Sequence, residues 1–263
     1  MGCVIIAGDF DLSVGSIYGM CAVIVGLLIV NGVNPFLSIF LAVLSGTIVG
    51  AINGYLVSVV SIPAFVATLG TMSITRGIAL FITKGWPVTF FQKEDIPDWV
   101  FYIGGGRVFN IIPMQVVFMV IVLIIGFLIL HKSKMGYHIF AVGGNPRAAS
   151  FYGISVNKVK IFVFAFTGFL SAISGILAMS FIRTAEPNLG TGMELDVIGA
   201  TIIGGISIKG GEGGVLSVLL GAMTVGILRN GLVLLGVSPF AQKIIIGMIL
   251  IAAVTLNVKM RKN

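Results

Sequence analysis

The chain has 263 residues and a formal net charge of +7, yet only 10% of its residues are charged and 57% are hydrophobic. A soluble protein carries charge on roughly 25% of its residues, so this composition excludes a water-soluble globular domain and indicates a membrane protein. The basic residues fall mostly in short loops and form no patch interleaved with aromatic side chains, which does not favour nucleic-acid binding.

Eight hydrophobic segments follow one another along the chain. The first two and part of the third lie in a run of 64 residues, from Leu12 to Thr75, that holds no Asp, Glu, Lys or Arg. A membrane-spanning helix needs about 20 apolar residues. The segments therefore predict an all-α, polytopic transmembrane helical bundle with about seven or eight membrane segments, in a single domain over residues 1–263. They comprise residues 12–30, 35–60, 63–83, 112–130, 161–182, 197–208, 214–228 (with a possible extension to 235) and 240–258.

Charges in the loops predict the orientation of the bundle. The loop 131–160 carries five Lys and Arg residues and no acid, and the tail carries three basic residues, so both are predicted to be cytoplasmic. The loop 84–111 carries Glu94, Asp95 and Asp98 and is predicted to be external. This orientation needs three membrane crossings between Ile182 and the tail, so it holds only if segment 197–208 crosses the membrane. That segment is short for a crossing, and a half-helix or re-entrant segment is the alternative.

Glycine recurs on one face of two predicted helices. Gly46, Gly50 and Gly54 lie four residues apart, and Gly168, Ala172 and Gly175 form a similar stripe. Small residues allow membrane helices to approach closely. These stripes are therefore interpreted as packing seams, with a role in lining a gated path as the alternative.

Several kinds of chemical site are not encoded. There is no phosphate-binding GxxxxGK[ST] loop, and the glycine-rich stretch 204–214 is interpreted as a tight turn between membrane segments. No nucleophile–base pair or metal-ligand cluster occurs, and Cys3 and Cys21 are interpreted as small packing residues. The sequence predicts no catalytic residue, no metal and no bound cofactor.

Polar residues within apolar segments mark functional sites in membrane proteins. Asp11 and Ser13 precede the first segment, where they either cap a helix or mark a break that faces a transport path. Arg76 lies midway along segment 63–83, and no carboxylate lies convincingly mid-helix, which argues against ion-coupled transport. The candidate residues for a translocation path are Asp11, Ser13, Asn53, Thr68, Arg76 and Asn230.

An ordered set of short motifs resembles the permease subunits of sugar ABC importers of the ribose, xylose and galactoside type. The set covers residues 8 to about 258. Its members are DLSVGS at 11–16, IPAFVATLG at 62–70 with Arg76-Gly77 behind it, GGNPRAA at 143–149 with Gly153-Ile154 behind it, IGG at 203–205, and NGL at 230–232 with LGVS at 235–238 and Gln242.

This resemblance implies a type II ABC importer-like permease in the bacterial inner membrane. It implies two permease subunits, identical or different, an external binding protein that delivers the solute, and ATPase subunits that use the ATP. Residues 143–155 would be the segment that couples the permease to the ATPase, in the only long cytoplasmic loop. The residues predicted to couple are Gly143, Gly144, Asn145, Pro146, Arg147, Ala148, Ala149 and Gly153.

The resemblance also implies the solute, a monosaccharide such as ribose. An ion-coupled secondary transporter and an ABC permease for branched-chain amino acids or nucleosides remain alternatives. The family usually has further helices before the DLSVG motif, whereas residues 3–7 here look like the end of a helix. A truncated N-terminus is therefore expected.

Overall fold

The fold is described by a computed structural model, which covers residues 1–90 and 96–260. Glu94 and Asp95 of the predicted external loop, and Arg261 and Lys262 of the basic tail, lie outside the described residues. The helices are α1 Gly2–Ile6, α2 Val14–Val30, α3 Pro35–Ser58, α4 Ala64–Thr83, α5 Trp99–Gly105, α6 Met114–Lys132, α7 Lys134–Gly144, α8 Pro146–Phe151, α9 Val156–Ile182, α10 Met193–Ile203, α11 Val215–Leu234 and α12 Pro239–Met260. The strands are β1 Val88–Thr89, β2 Arg107–Val108, β3 Ile112–Pro113 and β4 Thr184–Ala185.

The predicted all-α polytopic fold is confirmed. Within the described residues, five helices are long and apolar enough to cross a membrane, and α2 and the first half of α12 are shorter apolar helices. The five are α3, α4, α6, α9 and α11. Local sequence explains several of the ends. Asn34 caps α3, since its side chain accepts the backbone N–H of Phe36, and Pro35 occupies the first helical position.

The sixth predicted segment, 197–208, forms the 11-residue helix α10 and then a turn. A helix of this length extends roughly 16 Å, about half of a bilayer's hydrocarbon thickness. The structure thus supports the half-helix alternative. The seventh segment continues past Arg229 to Leu234, as its possible extension predicted.

The chain divides into two compact units. Unit 1 comprises Met1–Asp9, Gly126–Ile154 and Leu195–Asn263, and unit 2 comprises Phe10–Ile125 and Ser155–Glu194. Unit 2 holds α2, α3, α4, α5 and α9, together with the predicted external loop. Unit 1 holds α1, the predicted cytoplasmic loop as far as residue 154, and the last three helices.

Unit 2 is built on the closest helix pair in the described structure, α3 against α9. The two glycine stripes lie directly on one another: a Cβ on Gly46 would come within 2.8 Å of the Ala172 Cβ, and one on Gly168 would collide with the Gly46 carbonyl. Gly175 contacts the backbone of Tyr18 in α2 in the same way. The packing-seam interpretation is confirmed, and the small residues bring the α2, α3 and α9 backbones together.

Short elements cover one end of unit 2. Strand β1 pairs with β4, and β2 pairs with β3 in a small hairpin. Helix α5 packs against the end of α9, where the buried Ser180 hydroxyl donates to the carbonyl of Val100 and accepts the N–H of Gly104. Helix α5 is part of the predicted external loop 84–111, so this end of α9 packs against that loop.

Unit 1 contains the glycine-rich stretch 204–214, and the tight-turn interpretation is confirmed. Gly205, Gly210, Gly211 and Gly213 have positive φ angles of 100°, 81°, 74° and 144°, conformations that glycine adopts without a steric penalty. The turn brings α10 against α11, where a Cβ on Gly221 would collide with the Ala200 carbonyl.

An ion pair joins the same two helices. Arg229 Nη2 of α11 lies 2.6 Å from Asp196 Oδ2 of α10. A charged pair is much less costly in an apolar surrounding than either charge alone, so this contact stabilises the half-helix against its neighbour.

Candidate solute path and coupling segment

A cluster of buried polar side chains lies where α2 begins, within unit 2. Its members come from the stretch before α2, from α2 itself, and from α3 and α4, and each is at most 9% exposed. We call it the buried polar cluster. It comprises Asp11, Ser13, Ser16, Asn53, Thr71 and Thr75.

Hydrogen bonds connect the cluster across three helices. The Thr71 hydroxyl of α4 donates to Asn53 Oδ1 of α3 (2.6 Å), and Asn53 Nδ2 donates to Ser13 Oγ (2.9 Å). The Ser13 hydroxyl in turn donates to Asp11 Oδ1 (2.6 Å), which also accepts the Ser13 backbone N–H (2.8 Å). Burial raises the pKa of the Asp11 carboxyl, and the hydrogen bonds that it accepts from Ser13 oppose that rise without cancelling it.

The structure has no side-chain capping hydrogen bond at Ser13, the N-cap residue of α2, so the helix-cap alternative is wrong for Asp11. Asp11 accepts a backbone N–H one residue before α2, as a local turn-forming Asp does, and it also faces side chains of α3 through Ser13. Its second oxygen, Oδ2, is buried with no hydrogen-bond partner in the described structure. An unpaired buried oxygen costs stability, so the hydrogen-bond network does not fully satisfy the Asp11 carboxyl group.

A second set of bonds links α4 to α2. The Thr75 hydroxyl lies 2.7 Å from Ser16 Oγ, and the Ser16 hydroxyl donates to the Ser13 carbonyl. Ser16, Thr71 and Thr75 were missed in the sequence. A signal was present, because Thr68, Thr71 and Thr75 are spaced at i, i+3 and i+7, which places three hydroxyl groups on one helix face.

Arg76 has a different surrounding from the buried polar cluster. Its guanidinium donates to the backbone carbonyls of Pro187 (2.6 Å) and Leu189 (2.9 Å), and more weakly to that of Gly15 (3.4 Å). The segment 186–192 lies against α2 at this point, where a Cβ on Gly19 would lie 2.5 Å from the Leu189 carbonyl. Arg76 therefore fastens this segment to the start of α2.

The remaining predicted path residues do not join the cluster. The buried Thr68 hydroxyl donates to the Ala64 carbonyl of its own helix. Asn230 is exposed on α11 and belongs to unit 1. Of the six candidates, the structure brings Asp11, Ser13 and Asn53 into one hydrogen-bonded group.

The predicted coupling segment, 143–155, contains a short capped helix in unit 1. Asn145 Oδ1 accepts the Ala148 N–H (3.0 Å), and Pro146 begins α8. Helix α8 ends at Phe151, and Gly153 follows with a φ of +80°.

Two aromatic side chains at the end of α8 are almost fully exposed. Phe151 is 92% exposed and Tyr152 is 88% exposed, and Arg147 on the same short helix is also exposed. The motifs in the sequence did not indicate this aromatic pair. Adjacent exposed aromatic residues beside a cation are typical of a protein-binding surface.

Residues 3–254 match the protein family described as branched-chain amino acid transport system / permease component. The chain belongs to this family. The resemblance to transport permeases drawn from the sequence motifs is thereby confirmed.

Named relatives of the permease are similar over nearly its whole length. Ribose import permease protein RbsC of Bacillus subtilis (strain 168) is 39% identical over 97% of this chain and 78% of its own. RbsC of Escherichia coli (strain K12) is 36% identical over 98% of this chain and 80% of its own. The D-allose transport system permease protein AlsC of the same strain is 35% identical over 96% of this chain and 76% of its own. No solved structure matches the chain.

A test of the permease site is to replace Arg76. We expect Arg76→Lys to lower the thermal midpoint and the transport rate, and Arg76→Leu to lower both further. A lysine cannot reach three carbonyls with one planar group, and a leucine leaves them all without a donor, at about 1–3 kcal/mol for each buried group. The measurement is the melting profile of purified protein alongside solute uptake. Ser73→Ala on the exposed face of α4 is the control, and equal effects of Arg76→Leu and Ser73→Ala would contradict the fastening role.

Proposed function

We propose that this permease is the membrane-spanning subunit of an ABC importer, and that it carries a monosaccharide, ribose, into the cell with ATP hydrolysed by a separate subunit. The observation that carries the proposal is the similarity to ribose import permeases over 95% or more of the chain. The D-allose relative adds a second monosaccharide. The branched-chain amino acids in the family description are the competing solute class.

The coupling segment supports an external motor. Its helix α8 presents Phe151 and Tyr152 to solvent, next to Arg147. A cytosolic ATPase subunit that received this helix in a groove would bury both rings and pair with the cation. In this proposal the loop 131–160 faces the cytoplasm of a bacterial cell, the binding protein delivers solute on the other side, and two permease subunits enclose the path.

The buried polar cluster supports movement at the start of α2. Hydrogen bonds from α3 and α4 converge on Asp11, and Arg76 fastens the segment 186–192 close by. A change in the position of one helix alters the partners of the others, because these groups cannot be left unpaired away from water. The residues Asp11, Ser13 and Asn53 are proposed to transmit the conformational change, and the path itself to run past them.

The experiment is reconstitution of the permease in vesicles with the ATPase and binding protein of the same importer. Labelled D-ribose should enter only when ATP is enclosed with the ATPase, and labelled leucine should not enter. Entry of leucine with no entry of ribose would overturn the sugar assignment. Uptake by this chain alone in ATP-free vesicles, abolished by an ionophore, would overturn the ABC assignment in favour of an ion-coupled transporter.

A pair of glycine substitutions tests the coupling segment. Gly153 and Gly236 both have positive φ angles (80° and 71°), and neither has an atom within 4 Å of a Cβ position, so Glu costs a similar backbone strain at each, about 1 kcal/mol. We expect Gly153→Glu to abolish ribose-stimulated ATP hydrolysis, because it places a carboxylate beside the aromatic pair. Gly236→Glu, in the turn between α11 and α12, should retain the stimulation. Equal stimulation in the two variants would contradict the coupling role.

A further inference from the structure

The predicted external end of unit 2 contains a groove whose lining includes no residue of the buried polar cluster or the coupling segment. It lies between α5 and the end of α9, and its volume is about 570 Å³. Pockets that bind small molecules usually have volumes of about 300–1,000 Å³. We call it the outer groove, and the side chains that matter for its chemistry are Asp98, Trp99, Tyr102, Phe181 and Arg183.

Aromatic rings form the walls of the outer groove, and contacts outside it hold two of them in place. Trp99 stacks on Phe36 with ring centroids 4.4 Å apart. The Tyr102 hydroxyl donates to the Arg107 carbonyl (2.8 Å), which fixes the ring while leaving it 48% exposed. Phe181 is 61% exposed on the opposite helix. Rings that are positioned before a ligand arrives lose little conformational entropy when it binds.

Two opposite charges complete the groove. The Asp98 carboxylate has no hydrogen-bond or ion-pair partner in the described part of the chain, although it stands at the start of α5. The Arg183 guanidinium lies over the Phe101 ring, 5.0 Å from its centroid, and has no carboxylate partner among residues 1–90 and 96–260. An acceptor and a donor of hydrogen bonds therefore both remain available, and their charges cancel.

This combination selects a class of ligand. A carboxylate accepts and a guanidinium donates hydrogen bonds, so together they suit hydroxyl groups, which do both. Flat aromatic faces suit the C–H face of a sugar ring. A ligand with a net charge would be repelled either by Asp98 or by Arg183. We propose that the outer groove is a binding site for a neutral monosaccharide, which holds the sugar on this subunit before it enters the path. This rests on the proposed function for the identity of the sugar and for the external side.

The two tryptophans of the chain make the proposal directly measurable. With Trp86→Phe, Trp99 becomes the only tryptophan and reports on the groove. D-ribose titrated into the purified full-length chain in nanodiscs, up to about 10 mM so that a millimolar site is covered, should give a saturable change in Trp99 emission. Mannitol at the same concentration should give none.

Variants then locate the bound sugar. Asp98→Ala and Arg183→Gln, each in the Trp86→Phe chain, should weaken the apparent affinity about tenfold or more, the loss expected for a charged hydrogen-bond partner. Lys84→Gln removes an exposed charge of the same predicted external loop outside the groove and should leave the affinity unchanged. Circular dichroism of each variant establishes that its helices are intact.

The proposal is overturned if D-ribose gives no saturable Trp99 response, or if Asp98→Ala, Arg183→Gln and Lys84→Gln all titrate alike. It is also overturned if Asp98→Ala and Arg183→Gln weaken association with the binding protein while the ribose titration is unchanged, because the groove would then be a protein-docking surface. ATP-driven ribose uptake by the complete importer, measured separately, keeps this outcome distinct from failure of the proposed function.

Discussion

Leucine in place of Gly50 is expected to prevent unit 2 from folding. A Cβ at this position would collide with the Phe164 carbonyl and lie 3.1 Å from the Ala165 Cα. The atoms in the way are backbone, so the side chain has no rotamer that avoids them and α3 must separate from α9. Overpacking of a closed interior costs about 3 kcal/mol or more when the backbone has to move, which is a large share of a protein's total stability.

The measurement is size-exclusion chromatography of the detergent-extracted protein, followed by its thermal unfolding profile. Gly50→Leu should give aggregate or little extracted protein, and Gly50→Ala an intermediate result. The control is Gly70→Leu in the interior of α4, where a Cβ has no atom within 4 Å. It should extract normally, since leucine favours a helix more than glycine does by roughly 1 kcal/mol. Normal extraction of Gly50→Leu would show that the seam is not closely packed.

A single methyl group on Gly143 is expected to disrupt the coupling segment, whereas one on the adjacent Gly144 is expected to be tolerated. The Gly143 Cβ would collide with the Ile6 carbonyl and lie 2.6 Å from the Gly211 nitrogen. These two groups bond to each other, since the Gly211 N–H donates to the Ile6 carbonyl over 2.8 Å. The methyl group therefore disrupts a hydrogen bond and displaces the end of α7, at about 1–3 kcal/mol.

Ribose-stimulated ATP hydrolysis by the reconstituted complex is the readout, with membrane insertion measured beside it. Gly143→Ala should insert but lose most of the stimulation, because α7 leads directly into Asn145 and α8. Gly144→Ala, which has no atom within 4 Å of its Cβ, should keep it. Similar stimulation in both variants would show that this crossing of backbones does not position the coupling segment.

Hydrophobic pattern alone predicted most helix positions. The predicted segments that begin at residue 35 and end at residues 30, 83 and 182 share those ends with α3, α2, α4 and α9. The agreement has a physical cause: away from water a backbone must satisfy its own hydrogen bonds, so an apolar run of sufficient length becomes a helix wherever it lies. The structure of segment 197–208 was harder to predict, because its length is between that of a spanning helix and that of a turn.

Candidate site residues were predicted with less success. Asp11, Ser13 and Asn53 were proposed one by one because they are polar residues in or beside apolar segments, and nothing in the sequence indicated that they bond to one another. Ser16, Thr71 and Thr75 were passed over because hydroxyl residues in membrane helices commonly bond to their own backbone, as Thr68 does. The partners of Arg76 are backbone carbonyls 111 and 113 residues away, which no side-chain pattern encodes.

The sequence by itself determined that this protein is an all-α membrane permease and where its main helices lie. These are local properties, set by composition, by caps and by short motifs. Only the tertiary structure decided that the two glycine stripes lie on each other, that Asp11 is the end of a hydrogen-bond chain from α4, and that Arg76 fastens a distant segment. Such contacts depend on how each helix is rotated about its axis and how closely its neighbours approach, and both are results of packing.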